Sequence, residues 1–235
     1  MPVPISRRLQ CCTAMVPQGA RVADVGADHG YLCLWLLEQG VARDAAACDL
    51  RPGPLDSARR NAALYGMEDR MAFFLSDGLQ GVPKERYDTV VCAGMGGELI
   101  VKILFAAPWL RDPRYTLILQ PQTDVDLLRL WLGENGFAED RADLVADSGH
   151  LYCALRARYT GEPYTLTPGQ RYVSPALRAS GSPLLADYIA RTKSTLGRIA
   201  AGLSKADANP EPARLDALKA AIRELEEMER DYVNR

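Results

Sequence analysis

A short segment near the start of the chain, VADVGADHGYL, has residue types that could bind a small ligand. Gly26 and Gly30 have no side chain, so the backbone after the apolar run can approach a ligand closely. The glycines do not have the G-x-G-x-x-G spacing that seats a pyrophosphate against a helix. Instead the segment carries two carboxylates, Asp24 and Asp28. Because carboxylates repel phosphates and attract cations, this segment predicts a site for a positively charged ligand.

Two later apolar runs also end in acidic residues. Asp49 ends the second run, where a carboxylate can accept hydrogen bonds from both hydroxyls of a ribose. A helix-capping aspartate before Pro52 is the alternative. Asp77 and Gly78 follow the third run, at a place where a carboxylate often binds an adenine amino group. The same pair would be an equally good turn signal.

A glycine cluster, CAGMGGELI, follows the fourth apolar run. Gly94, Gly96 and Gly97 together lose much backbone entropy on folding, which makes a loop without function the poorer explanation. In open α/β sheets, ligands bind at the carboxyl ends of the strands. We therefore expect these glycines to clear space for a cofactor or for an incoming base.

These segments are positioned by short apolar runs that alternate with longer amphipathic runs, which is the pattern of βαβ units. Strands are expected at 21–25, 45–49, 71–75, 89–93, 116–119, 138–145 and 151–158, and helices at about 30–39, 54–65, 96–106 and 124–135. Asp28 is expected to cap the first helix. The last two strands have only turn residues between them, so they should pair as an antiparallel hairpin. The predicted fold is α/β, a doubly wound, mostly parallel, Rossmann-like sheet with an antiparallel edge hairpin.

The last third of the chain has a different organisation. Residues 160–183 are rich in Gly, Pro and Ser, which is the composition of a connecting segment rather than of a core layer. Two stretches with one apolar stripe each follow, and they predict an antiparallel helical hairpin. We expect a catalytic domain at 1–160, followed by a linker and the C-terminal hairpin at 161–235.

The distribution of charge along the chain allows a local basic surface although the net charge is -2. The first 150 residues hold 15 basic and 20 acidic side chains, whereas the remaining residues hold 13 and 10. Residues 170–205 contain six basic residues, the last of which is Lys205, and a single acidic residue, Asp187. This segment could bind RNA phosphates, or the hairpin could be a stabilising strap without a ligand.

Other classes of site are not expected. The chain has two histidines without ligand-like spacing and six cysteines without a C-x-x-C pair, so no metal site is predicted. No apolar run approaches the roughly 20 residues that span a bilayer. A monomer in the cytoplasm, without membrane contact, is therefore expected.

The segments DVGADHGYL, CDLRPGPLDSARRNAALYG, SDGL, CAGMGGELI and LILQPQ, in this order and spacing, resemble the bacterial TrmK-type tRNA (adenine-22, N1)-methyltransferases. The resemblance implies a class I methyltransferase fold, S-adenosylmethionine as methyl donor and tRNA as acceptor. It also implies that the C-terminal helical hairpin contributes to tRNA binding. The ammonium and sulfonium of S-adenosylmethionine suit the two carboxylates of the first segment. One departure is Gln122, where family members commonly have Asn.

Candidate site residues follow from the residue types and the resemblance together. Those expected to bind the cofactor are Asp24, Gly26, Asp28, Gly30, Asp49, Leu50, Asp77, Gly78 and Gly94. Those expected on the reacting side are Asp28, His29, Tyr31, Gly94, Met95, Gly96, Gln120 and Pro121. Those expected to contact tRNA are Arg7, Arg8, Arg191, Lys193 and Arg198.

The chemistry expected at this site is methyl transfer to N1 of an unpaired adenine, which depends mainly on positioning. A carboxylate or carbonyl facing the ring would stabilise its growing positive charge, and the candidates are Asp28, His29 and the carbonyls of the AGMGG turn. Tyr31 is expected to stack on the base or to form a hydrogen bond with it. A solvated or helix-capping histidine is an equal alternative for His29. Three other functions stay open: an NAD-dependent oxidoreductase, a non-catalytic RNA-binding protein with this fold, and a small-molecule methyltransferase. The missing G-x-G-x-x-G and the edge hairpin are evidence against the oxidoreductase.

Overall fold

Residues 2–204 and 212–233 of the chain are described by a computed structural model. In these residues the strands are β1 (Ala20–Val25), β2 (Ala42–Asp49), β3 (Met71–Leu75), β4 (Thr89–Met95), β5 (Thr116–Pro121), β6 (Phe137–Asp147) and β7 (His150–Tyr159). The α-helices are α1 (Arg7–Thr13), α2 (Tyr31–Glu38), α3 (Pro52–Leu64), α4 (Gly97–Phe105), α5 (Val125–Glu134), α6 (Pro175–Ala179), α7 (Leu185–Ser204) and α8 (Pro212–Val233). Lys205 of the basic series lies outside the described residues.

The strands form one sheet in the order β3-β2-β1-β4-β5-β7-β6. β1 to β5 run parallel to one another, while β7 is antiparallel to both β5 and β6. The predicted α/β fold class with an antiparallel hairpin is therefore confirmed. The strand order reverses between β1 and β4, and their carboxyl ends are the expected ligand site of an open α/β sheet.

The sheet forms because its parallel strands are buried on both faces. Residues 22–25 of β1 and 45–49 of β2 are all buried, and apart from Asp24 and Asp49 they are small or branched apolar residues, which is typical of a covered parallel sheet. One apolar cluster packs α2 and α3 against one face of the sheet. The other cluster is built on α4 and α5 and extends without a break to Ile189 of α7 and Leu225 of α8. The sheet and the C-terminal helices thus share one core, and the division of the chain at residue 160 stays a prediction.

The segment between β7 and α7 is not merely a connection, because it contributes to the core. Val173, Ser174 and Leu177 are all buried, which contradicts the expectation from their Gly, Pro and Ser-rich surroundings. Arg129 of α5, only 1% exposed, pairs with Glu139 of β6 at 2.8 Å. Its guanidinium also donates hydrogen bonds to two backbone carbonyl oxygens in the middle of this segment, immediately before Val173. The buried ion pair therefore holds α5, β6 and the segment together.

Helices α7 and α8 form the predicted hairpin. The start of α7 lies beside the end of α8, since Leu185 and Ile189 line one small cavity with Met228. Lys193 of α7 forms an ion pair with Glu229 of α8. The two helices are therefore antiparallel, with their apolar stripes facing each other.

The structure differs from the predicted elements in two further places. The short helix α1 was not expected; the side chain of Ser6 accepts a hydrogen bond from the backbone amide of Leu9 at its start. Asp28 does not cap α2, because it lies in a 3-10 turn and Gly30 occupies the capping position without a side-chain hydrogen bond. Among the described residues, no helix combines the length and hydropathy of a membrane span.

Candidate cofactor and acceptor site

The turn after β1 is shaped by Gly26, which has a φ of +74°. The backbone amides of Gly26 and Ala27 donate hydrogen bonds to the carbonyl oxygen of Cys48, at 2.8 and 3.1 Å. A Cβ atom added at Gly26 would lie 3.0 Å from Cε of Met95. Glycine at this position therefore lets the ends of β1, β2 and β4 meet, as a close ligand site requires.

Asp24 is a carboxylate buried in this corner of the sheet. It is 6% exposed, and its side chain accepts no hydrogen bond within the described part of the chain. Burial raises the pKa of Asp24 to about 8; the charge of Arg8 opposes this effect, and that of Asp49 adds to it. A cation bound beside Asp24 would compensate the buried charge, so this carboxylate fits the ammonium group of a ligand.

The ends of β2 and β3 form the next part of the site. The carboxylate of Asp49 is largely buried and accepts a hydrogen bond from the backbone amide of Arg51 at 2.8 Å. Leu50 and Leu75 are 66% and 63% exposed, although both are large apolar residues. A flat aromatic ring placed there would cover apolar surface. The sequence analysis missed Leu75, whose position opposite Asp49 follows only from the strand register.

The loop after β3 contains Asp77 and Gly78. Ser76 is buried and orders this loop, because its hydroxyl donates to the carbonyl oxygen of Gly78 at 3.1 Å and accepts from the amide of Gly81 at 2.9 Å. Gly78 has a φ of +56° and packs against Ile103. Asp77 is exposed, so its carboxylate can reach a ligand that lies on Leu75.

The segment Asp28 to Tyr31 forms the rim of the site. Asp28 and His29 are exposed, and His29 Nε2 lies 3.5 Å from Asp28 Oδ1. The rings of His29 and Tyr31 are stacked, with a distance of 5.8 Å between their centroids. Gly30 faces inward instead: an added Cβ would lie 2.8 Å from Cε of Met71. Packing under α3 therefore explains this glycine.

A second group of residues, which we call the Gln120 cluster, consists of Arg8, Gly94 and Gln120. Gln120 is fully buried, and its Oε1 accepts hydrogen bonds from Nη1 of Arg8 at 2.6 Å and from the amide of Gly94 at 3.1 Å. Its Nε2 donates to the carbonyl oxygen of Pro121 at 2.9 Å. Because these bonds engage both ends of the amide, Gln120 can orient the ends of β4 and β5 but has little capacity left for a substrate.

Packing also explains Met95 at the end of β4 and the two glycines that follow it. Met95 is half-buried and contacts the position of Gly26. A Cβ at Gly97 would lie 2.3 Å from the carbonyl oxygen of Asp124, and one at Gly96 would lie 3.1 Å from Oγ1 of Thr123. These two glycines therefore allow α4 to start against the turn after β5.

Arg8 was predicted to contact phosphate, and the structure places its guanidinium in the Gln120 cluster. A Cβ atom added at Gly94 would lie 2.8 Å from Nη1 of Arg8. The guanidinium carbon of Arg8 lies 5.7 Å from the ring centroid of Tyr152. The backbone amide of Arg8 donates to Asp147 at 3.2 Å, which ties α1 to the end of β6. Arg7, in contrast, is exposed.

Comparison with known proteins places this geometry in a family. Residues 5–155 match a family described as a methyltransferase domain. The tRNA (adenine(22)-N(1))-methyltransferase of Bacillus subtilis is 33% identical over 153 residues, which are 65% of this chain and 64% of that protein. The crystal structure of the B. subtilis m1A22 tRNA methyltransferase TrmK superposes with a TM-score of 0.83 and 27% identity, covering 97% of this chain and 99% of that one. The chain belongs to the TrmK-type methyltransferase family.

Another solved structure bears on the ligand of the TrmK family. A putative tRNA (m1A22) methyltransferase of Streptococcus pneumoniae, in complex with S-adenosyl-L-methionine, has a TM-score of 0.80 and 28% identity. It covers 94% of this chain and 99% of that chain. The donor set of the present chain fits this ligand: Asp24 suits its ammonium, Asp49 its ribose, and the exposed leucines its adenine. No group of three or more His, Cys, Asp or Glu side chains in the described ranges could hold a metal ion.

The predicted RNA-binding residues of the TrmK-type hairpin lie on α7. Arg191 is exposed, pairs with Asp187 at 3.0 Å and donates to the carbonyl oxygen of Gly149 at 3.4 Å. Arg198 is also exposed. Lys193 is mostly buried in its ion pair with α8, so it stabilises the hairpin and is less available to phosphate.

Proposed function

We propose that this chain transfers a methyl group from S-adenosylmethionine to N1 of adenine-22 in tRNA. The observation that carries this proposal is the buried carboxylate of Asp24 beside a glycine turn at the reversal point of the sheet. A cationic adenosyl ligand would stabilise the ionised form of this buried carboxylate, whereas an anionic dinucleotide would destabilise it. The family relationship supports the same substrate, since the B. subtilis relative is a tRNA (adenine(22)-N(1))-methyltransferase.

The residues at the ends of β1, β2 and β3 would hold the methyl donor. When bound, S-adenosylmethionine supplies an electrophilic methyl group on a sulfonium. Asp24 would pair with the ammonium, and Asp49 would accept hydrogen bonds from the ribose hydroxyls. Leu50 and Leu75 would cover the adenine faces, and Asp77 would accept a hydrogen bond from its amino group. The charge or exposure of each side chain supports the contact proposed for it.

The acceptor base would enter between the rim and the Gln120 cluster. The N1 lone pair of adenine lies free in the ring plane, so no general base is needed and positioning supplies most of the rate. Gln120 orients the turn that starts at Gly94, which makes it a positioning residue. Asp28 and His29 would face the positive charge that grows on the base, and Tyr31 would stack on it.

The exposed basic residues would contact the tRNA backbone. Arg7, Arg191 and Arg198 are exposed, and cationic side chains at a surface neutralise phosphates by releasing counterions. Lys193 would contribute less because of its pair with Glu229. We further propose that the protein works as a monomer in the cytoplasm, where its tRNA substrate is found.

The decisive experiment uses unmodified tRNA carrying adenine or guanine at position 22, with labelled S-adenosylmethionine, followed by mapping of the methylated nucleoside. We expect product only with adenine-22. Methylation of both RNAs would contradict the assignment, and methylation of a small molecule without RNA would favour a small-molecule enzyme. Binding of donor and tRNA without any transfer would indicate a non-catalytic RNA-binding protein.

The role of α7 is tested by the salt dependence of tRNA binding. Replacing Arg191 and Arg198 together by Gln should weaken binding and reduce the slope of log K against log salt by about 1 to 2. The matched control is Arg43→Gln, since Arg43 is exposed near the opposite end of β2. An unchanged slope in the double variant would leave the hairpin with a structural role only.

A further inference from the structure

A cleft separates the carboxyl edge of the sheet from α7, and we call it the α7 cleft. It has a volume of about 360 Å³, which is within the range of small-ligand sites. Pro121 at the end of β5 and Asp124 in the following turn line it, together with Tyr152 from β7 and with Tyr188 and Arg191 from α7. Both parts of the chain, the sheet and the hairpin, are therefore needed to form it.

The α7 cleft is distinct from the proposed cofactor site but adjoins the Gln120 cluster. None of Asp24, Asp49 and Asp77 is among its lining residues. Tyr152 lines the cleft, and Arg8 of the Gln120 cluster lies 5.7 Å from its ring centroid. A molecule in the cleft would thus lie next to the acceptor base.

The lining of the cleft has the chemistry that binds a nucleobase. Tyrosine rings stack on bases of unpaired nucleotides, and this contact tolerates any base. The carboxylate of Asp124, which accepts a hydrogen bond from Thr123 at 2.6 Å, can also accept one from an exocyclic amino group. That same negative charge disfavours a phosphate inside the cleft.

The positions of Arg191 and Asp124 determine how a nucleotide would be oriented in the cleft. The side chain of Arg191 is 55% exposed although it lines the cleft, so it lies at the rim. A nucleotide that inserts its base would place its phosphate near this guanidinium. Tyr172 is held by a hydrogen bond of 2.9 Å from its hydroxyl to Asp126, which makes one wall preformed.

We propose that the α7 cleft binds the base of a second tRNA nucleotide, adjacent to the adenine that is methylated. The proposal rests on the proposed function, because it assumes that the acceptor is tRNA. It gives α7 a base-binding role in addition to its contacts with phosphates. The two bases would occupy neighbouring sites on one edge of the sheet. The methylated adenine would lie between the rim and the Gln120 cluster, and the second base would lie in the cleft.

The test combines a filled cleft with RNAs that lack one base. Thr195 lines the cleft and is exposed, so Thr195→Trp should fill it without disturbing the core. Ser194→Trp is the matched control, since Ser194 is exposed on the same helix and does not line the cleft. The RNAs are tRNAs with an abasic nucleotide on one or the other side of adenine-22, and their dissociation constants are compared with that of intact tRNA.

With the wild type and with Ser194→Trp, one abasic RNA should bind about 5- to 150-fold more weakly than intact tRNA, the range for a lost stacked base. With Thr195→Trp, the intact and abasic RNAs should bind equally, because the two changes remove the same contact. Additive losses, or no loss with either abasic RNA, would overturn the proposal. If Thr195→Trp fails to fold, as judged by thermal unfolding, Thr195→Glu provides the same comparison through charge.

Failure of this inference can be told apart from failure of the proposed function. Methylation of intact tRNA at adenine-22 by the wild type tests the function alone. If that methylation occurs while the losses from Thr195→Trp and from the abasic RNA are additive, only the α7 cleft assignment is wrong. If intact tRNA is not methylated at all, the proposed function is wrong and the cleft has no acceptor beside it.

Discussion

The raised pKa of Asp24 predicts that the affinity for the methyl donor depends on pH. With a pKa of about 8, about one molecule in ten carries an ionised Asp24 at pH 7. A cationic ligand binds the ionised form, so the apparent affinity is reduced by the fraction that is ionised. The affinity for S-adenosylmethionine should therefore rise about tenfold for each pH unit between pH 5.5 and 7. The ligand's own ammonium remains charged over this range.

Calorimetry measures both the affinity and the proton that must leave. In two buffers with different ionisation enthalpies, binding at pH 7 should release about 0.9 proton per ligand, because Asp24 becomes ionised in the complex. His29→Gln serves as the control variant, because His29 is an exposed residue at the rim of the same site. An affinity that stays flat in the wild type, without proton release, would refute this account of Asp24.

The same group links pH to the stability of the ligand-free protein. The pKa of Asp24 is raised on folding, from its ordinary value of 3.8 to about 8. Its contribution to stability is therefore fully present below about pH 4 and is lost as the pH rises towards 8. Asp24→Asn should remove this loss, so that the variant unfolds at a higher temperature than the wild type at pH 8 while binding the donor poorly. A variant that is less stable than the wild type at pH 8 would contradict the burial argument.

Three substitutions test other parts of the structure. Asp49→Ala should weaken donor binding by about 1.5 to 3 kcal/mol, since the ribose loses its charged acceptor, and unchanged affinity in calorimetry would exclude that contact. Gly30→Ala should lower the free energy of unfolding by about 1 to 3 kcal/mol in urea titrations, because its new methyl group would lie 2.8 Å from a side-chain carbon. Gly19→Ala is its control, with a positive φ but open space around it. Arg129→Met should cost about 3 to 5 kcal/mol by leaving Glu139 buried and unpaired, and a loss below 1 kcal/mol would show that the pair is dispensable.

The sheet and its acidic corner could be predicted because their signals are local. Buried parallel strands are mostly apolar runs, and the last residues of such a run lie at the carboxyl edge of the sheet. Asp24 and Asp49 were therefore placed at one edge without a structure, and the register of β1 and β2 brings the ends of these strands together. The paired end strands were predictable for the same reason, since only turn residues separate them.

Features that depend on distant contacts could not be predicted. Arg8 and Gln120 are 112 positions apart, and no period or motif indicates that their side chains meet. Val173 and Leu177 lie in a segment without regular alternation, so their burial left no pattern. The glycines at 30 and 97 looked like ligand contacts, whereas the atoms around them show that neighbouring helices and turns exclude a side chain.

The buried pair of Arg129 and Glu139 also bears on the proposed binding of tRNA. It fastens the segment before α7 to the sheet, and the apolar cluster continues from there through both helices of the hairpin. We expect a hairpin anchored in this way to keep its position relative to the sheet and not to close onto the RNA. The shape adjustment on complex formation then falls to the nucleic acid, and RNAs that are easily distorted at the modified position would be the better substrates.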